Sequence, residues 1–100
     1  MKRGSTPTHI FTIPFDTLLI DDLRVSYAQN NTEIVVKNKS DCELEGQAIT
    51  VNLSQEDTLK FSHSKNVELQ IKVLTTGGEV HISDIIVISV GKVLNSEVLQ

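Results

Sequence analysis

The chain has 100 residues, enough for one domain, with 39% apolar residues, 4% aromatic residues and no tryptophan. Its formal net charge of -4, with scattered Lys and Arg, excludes nucleic-acid binding by phosphate neutralisation and attraction to an anionic membrane. A single cysteine, Cys42, excludes an internal disulfide, so the core must come from Val, Ile and Leu around Phe11, Phe15, Phe61 and Tyr27.

Residues 1–8 have a charged start with no apolar run behind it, so they read as an extended N-terminal arm and not as a signal peptide. The longest apolar run, Ile85-Ile86-Val87-Ile88, is far too short to cross a bilayer as a helix. Synthesis in the cytoplasm is the expectation.

Alanine is scarce and branched residues abound, which favours pleated sheet over helix. Residues 9–15 place Phe11, Ile13 and Phe15 on one face, and Pro14 marks an edge strand that stops there. Residues 16–21 read as a corner. Residues 22–28 put Leu23, Val25 and Tyr27 inward; Gln29-Asn30-Asn31 is a turn, because Asn tolerates positive φ. Residues 32–37 return with Ile34 and Val36 expected on one face.

Asn38-Lys39-Ser40-Asp41 is a second turn, and residues 42–45 are a short strand ending at Glu45-Gly46. Residues 47–53 alternate Ile49, Val51 and Leu53 with polar positions. Ser54 and Asp57 have the spacing of a capping box, which predicts one helical turn near 54–58, with Leu59 and Phe61 plugging the domain from below. Residues 62–66 are a polar loop.

Residues 67–75 alternate most cleanly, with Val67, Leu69, Ile71 and Val73 on one side. Thr76-Gly77-Gly78-Glu79 is a hairpin turn. Residues 80–90 read as one strand, apolar on both faces. Such a strand belongs at the centre of a sheet or under a partner chain. Asp84 interrupts it, either as a bulge at Ser83-Asp84 that switches the inward face or as an inward charge guarding an edge. The tail 92–100 carries Val93, Leu94, Val98 and Leu99.

About seven short strands with regular turns predict an all-β fold: a single antiparallel β-sandwich over 9–91, immunoglobulin-like, with a small barrel as the rival. No catalytic, cofactor or metal residues are assigned. His9, His63 and His81 are too scattered for a ligand motif and read as solvent-facing; Cys42 reads as a half-buried apolar residue. Asp21-Asp22 and Glu56-Asp57 read as turn and helix-start residues.

Several stretches carry a family likeness. They are Arg3 to Thr8, Phe11-Thr12-Ile13-Pro14-Phe15-Asp16, Ser26 to Asn30, Leu53 to Thr58, and Val73-Leu74-Thr75-Thr76-Gly77-Gly78 through Ser83-Asp84-Ile85-Ile86 to Leu94. They resemble small prophage-encoded proteins of Gram-positive bacteria from phage structural gene clusters, tail or baseplate. The resemblance spans almost the whole chain and implies no catalytic residues. It implies a non-enzymatic structural or assembly protein that ends up in the virion. Its expected partners are proteins of the phage assembly, with self-association through the arm and strand 80–90. The alternative is a ligand- or carbohydrate-binding β-sandwich, which would need Tyr27 exposed. A small enzyme would need two of the histidines beside a carboxylate.

Overall fold

The alternating segments become eight strands among the described residues, which in this computed structural model are 1–63 and 65–91. In chain order they are β1 (Thr8–Thr12), β2 (Ile20–Gln29), β3 (Thr32–Asn38), β4 (Cys42–Glu45), β5 (Ala48–Asn52), β6 (Val67–Thr75), β7 (Val80–Ile82) and β8 (Ile86–Ile88). One helix, α1 (Gln55–Leu59), separates β5 from β6, and 3-10 turns occupy Thr17–Leu19 and Lys39–Asp41. The expected tail 92–100 lies outside the described residues.

The strands form two antiparallel sheets. One has the order β1-β5-β4; the other has the order β3-β2-β6-β7, with β8 also on β6. Between them lie Leu23, Val25, Tyr27, Leu69, Ile71 and Val73 from the larger sheet and Ile49 and Val51 from the smaller. These are the inward faces expected from period-two alternation. Leu53 and Phe61, one on either side of α1, close the lower end, and the Phe61 ring lies 6.2 Å from that of Tyr27. Leu59 instead packs towards Gly4 of the N-terminal segment, 3.4 Å from where a Cβ would stand.

Local chemistry sets the connections. Asn30 and Asn31 take φ of 54° and 62°, which makes a two-residue hairpin loop that matches the strand twist. The register then slips: Tyr27 faces Val35, but Ala28 faces Glu33. Ile34 is therefore an extra residue, a bulge. This corrects the expected face of β3. Val35 is buried and Lys37 shares its inward side, while Val36 stands beside Ser26 on the outer side.

Lys37 is tolerated there because α1 supplies an anion. Its Nζ lies 2.8 Å from Oδ2 of Asp57, with both side chains largely buried. Asp57 Oδ2 also accepts from Ser54 N at 3.0 Å, and Ser54 Oγ accepts from Asp57 N at 3.0 Å, completing the expected capping box. Burial pushes the Asp57 carboxyl up; the Lys37 and Ser54 hydrogen bonds outweigh it and hold the group below its ordinary value. Gln29, expected in a turn, is buried instead. Its amide donates to the carbonyls of Ser62 and Lys65 and accepts from Ser62 N, which ties down these two residues.

The N-terminal segment runs along the lower end. Leu53 N donates to the Pro7 carbonyl, Thr58 Oγ1 to that of Ser5, and Arg3 Nη2 to that of Leu59. Lys2 forms a parallel bridge with Gly91.

The strand expected over 80–90 is two strands with a break, which is why eight form where about seven were expected. Lys72 pairs with Ile82 and Leu69 with Ile86, so four residues of the returning chain span three of β6. Ser83 absorbs the extra residue. Its N–H donates to the Ile71 carbonyl at 2.9 Å, and its Oγ accepts from Ile71 N at 2.9 Å. The inward side changes from His81 before the break to Ile86 and Ile88 after it. Asp84 is exposed, so the bulge reading is the one the structure adopts.

The Lys37–Asp57 pair joins the larger sheet to the helix. Asp57→Ala removes a cap worth about 1 kcal/mol and leaves a mostly buried ammonium unpaired. Urea unfolding should show a loss of about 2–3 kcal/mol at pH 7. Because the carboxyl is held below its ordinary value of 3.8, its contribution is present above that pH and fades as pH falls through the lower, folded value.

Candidate contact surface

Both sheets end on the same side of the sandwich. The smaller ends in β1 and the larger in β7 and β8. Pro14 stops β1 as expected, and Ile13 N is held by the Gln47 carbonyl at 2.9 Å, which directs Phe15 across the gap. There Phe15 meets His81, with ring centroids 5.2 Å apart. A groove of about 490 Å³ runs between the edges, lined by residues 10–15 on one bank and by Ile71, Val73, His81, Ile82, Ser83 and Ile86 on the other.

The rim of this groove is apolar and open. Ile10 is 66% exposed and Ile82 58%; Val87, outside the groove, is 60% exposed. Val80, Ile85 and Ile86 are exposed as well. Val80, Ile82 and Val87 lie opposite Leu74, Lys72 and Glu68 of β6, on the outer face. Ile86 and Ile88 face inward. The returning chain is thus apolar on both faces, as the sequence indicates, yet it stands at an edge. An apolar surface of this kind is a candidate contact site.

The three histidines are far apart in role. His9 is half-buried, against the expectation of solvent exposure, because β1 turns its odd residues towards the core. Its Nδ1 lies 2.7 Å from the Tyr27 hydroxyl. Burial, followed by the positive charge of the N-terminus, lowers its pKa, so the ring is neutral at pH 7. We assign the tautomer protonated at Nε2, in which the Tyr27 hydroxyl donates to Nδ1. Burial, with the charges of Cys42 and Asp57, pushes the Tyr27 phenol well above its ordinary value. His81 lies 3.3 Å from the Glu79 carboxylate at the exposed hairpin, and His63 is exposed in the 62–66 loop.

Among the described residues no three of His, Cys, Asp and Glu are grouped to hold a metal ion. Cys42 is half-buried, and burial raises its thiol pKa. It lines a shallow depression with Asp22, Asn38, Lys39, Ser40 and Leu44. Tyr27, expected on the inward face, is fully buried there and offers no platform to a glycan. The sequence missed the His9–Tyr27 bond and the two-edged groove; the alternation that places His9 on the Phe11 face was the available signal for the first.

Compared with protein-family models, curated proteins and solved structures, the chain matches none of them. No helix among the described residues is long and apolar enough to cross a membrane.

The His9–Tyr27 bond yields a pH signature. A histidine with a lowered folded pKa contributes stability above its unfolded value of 6.5 and loses it as pH falls below that value. The urea midpoint should therefore drop between pH 7.5 and pH 5.5, and His9→Phe should flatten the drop. Tyr27→Phe should cost about 1 kcal/mol at pH 7.5 through the lost buried hydrogen bond.

Proposed function

We propose that this chain is a non-enzymatic contact module, a structural or assembly component of a phage particle associated with its tail or baseplate. One observation carries the contact role. A strand pair apolar on both faces, the pattern of a buried central strand, lies at an open edge beside an apolar groove. A partner protein laid along that side removes the exposed surface from water and satisfies the free edge. The phage setting rests on the resemblance read from the sequence alone. Synthesis in the host cytoplasm and incorporation into the virion follow from the same reading.

The test uses Ile82→Asp combined with Ile86→Asp, introduced at the native locus. Both sites are exposed at an edge, so the fold should survive, as circular dichroism would report. Mass spectrometry of purified particles should find the wild-type chain in them and the double variant depleted at least tenfold. Absence of the wild-type chain from particles, or undiminished incorporation of the variant, would refute the proposal.

A further inference from the structure

The hydrogen-bonding direction along β6 shows which main-chain groups of β7 are free. Ile71 exchanges hydrogen bonds with Ser83, and Thr75 N donates to the Glu79 carbonyl, so the odd residues of β6 point towards β7. Val73 is therefore the residue that bonds His81, its register partner. The N–H and C=O groups of Val80 and Ile82 then point the other way, off the sheet. Among the described residues β7 has no neighbour but β6. Two residues apart, with the same polarity, these groups form a rung pattern that is complementary to itself under a two-fold axis.

We propose that β7 pairs antiparallel with β7 of a second copy, about a two-fold axis through His81, joining the two larger sheets into one. Val80 of each copy faces Ile82 of the other, and each such pair exchanges two main-chain hydrogen bonds. His81 faces its own copy in the intervening non-hydrogen-bonded pair. On the outer face the half-exposed Val80 and Ile82 of both copies merge into one apolar cluster.

Charge fits this occupant. Glu79 faces Ser83 of the copy and not another carboxylate. It already lies 3.3 Å from its own His81 and comes diagonal to the His81 of the copy, so the two carboxylates flank the two imidazoles. The β8 edge suits a copy less well. The chain's own Met1 amine already donates to Ser89 O at 2.8 Å, and Gly91 N donates to Met1 O at 2.6 Å, which blocks a ladder beyond Val87.

The area sets the strength. Val80 and Ile82, the apolar residues within the pairing, present on the order of 200 Å² of surface per copy. A pair burying about twice that, with its main-chain rungs, falls well below the ~1,200 Å² of standard interfaces, so the dimer should be weak and concentration-dependent, with Kd on the order of 100 µM.

This pairing deepens the contact reading by naming the chain's own copy as one partner, and its test separates the two. Sedimentation velocity on the full chain from 1 µM to 1 mM should show monomer giving way to dimer. Ile82→Pro removes an N–H that β6 does not use, so circular dichroism should be preserved while Kd rises at least tenfold. Val80→Lys is the second variant should the proline disturb the fold, with the same rise expected. In a Cys42→Ser background, His81→Cys should form a disulfide-linked dimer under mild oxidation, since facing Cα atoms in a non-hydrogen-bonded pair lie about 4.5 Å apart. Val87→Cys in the same background should not. A chain that stays monomeric throughout, as when another segment covers β7, overturns the pairing, as does equal cross-linking at both sites. Incorporation into particles by a strictly monomeric chain would leave the contact reading standing alone.

Discussion

The pairing of β2 with β6 is the constraint on which the rest of the molecule depends. It runs from Ile20 opposite Thr75 to Ala28 opposite Glu68. It sets Leu23, Val25 and Tyr27 beside Val73, Ile71 and Leu69 on one face, and that shared face is half of the core. β3 hangs on one side of this ladder and β7 and β8 on the other. Because β2 alternates from Leu23 to Tyr27 and β6 from Val67 to Val73, a slip of one residue would turn these side chains outward, so the apolar pattern holds the register.

Besides the shift between Ile20 and Asp22 in the β2–β6 ladder, the register slips at two places that shape the surface. The bulge at Ile34 brings Lys37 to the inward side, where Asp57 neutralises it and ties the larger sheet to the helix. The irregularity at Ser83 exchanges the faces of the returning chain, so that outer Val80 and Ile82 are followed by inner Ile86 and Ile88. A bulge also bends and twists the strand that carries it. The two slips thus have opposite consequences, one closing the sandwich around a charge and the other leaving an apolar edge exposed.

The open side follows from strand count and composition together. With β1 ending one sheet and β7 and β8 the other, no described strand bridges the gap. The rings available there, Phe15 and His81, meet across it without filling it, which leaves the groove. Natural edges are usually blunted by lysine, proline or a covering segment. Pro14 does this at the end of β1, and Met1 to Arg3 do it beside Ser89 and Gly91. Val80 and Ile82 have no such protection among the described residues, and their polar groups and side chains are what a docking strand uses.

The sequence by itself determined the all-β class, the inward faces of β2, β5 and β6, the capping box at Ser54 and Asp57, and the hairpins at Asn30-Asn31 and Gly77-Gly78. These follow from local rules: period-two alternation, side chains that accept from a nearby N–H, and residues that tolerate positive φ. Only the tertiary structure decided that Lys37 points inward, that Gln29 is buried, that His9 bonds Tyr27, and that the doubly apolar chain after Gly78 stands at an edge. Each of these depends on which strands become neighbours. Alternation reports that a face is apolar, but it carries no record of what lies across from it, and a bulge of one residue is invisible until the partner strand is in place.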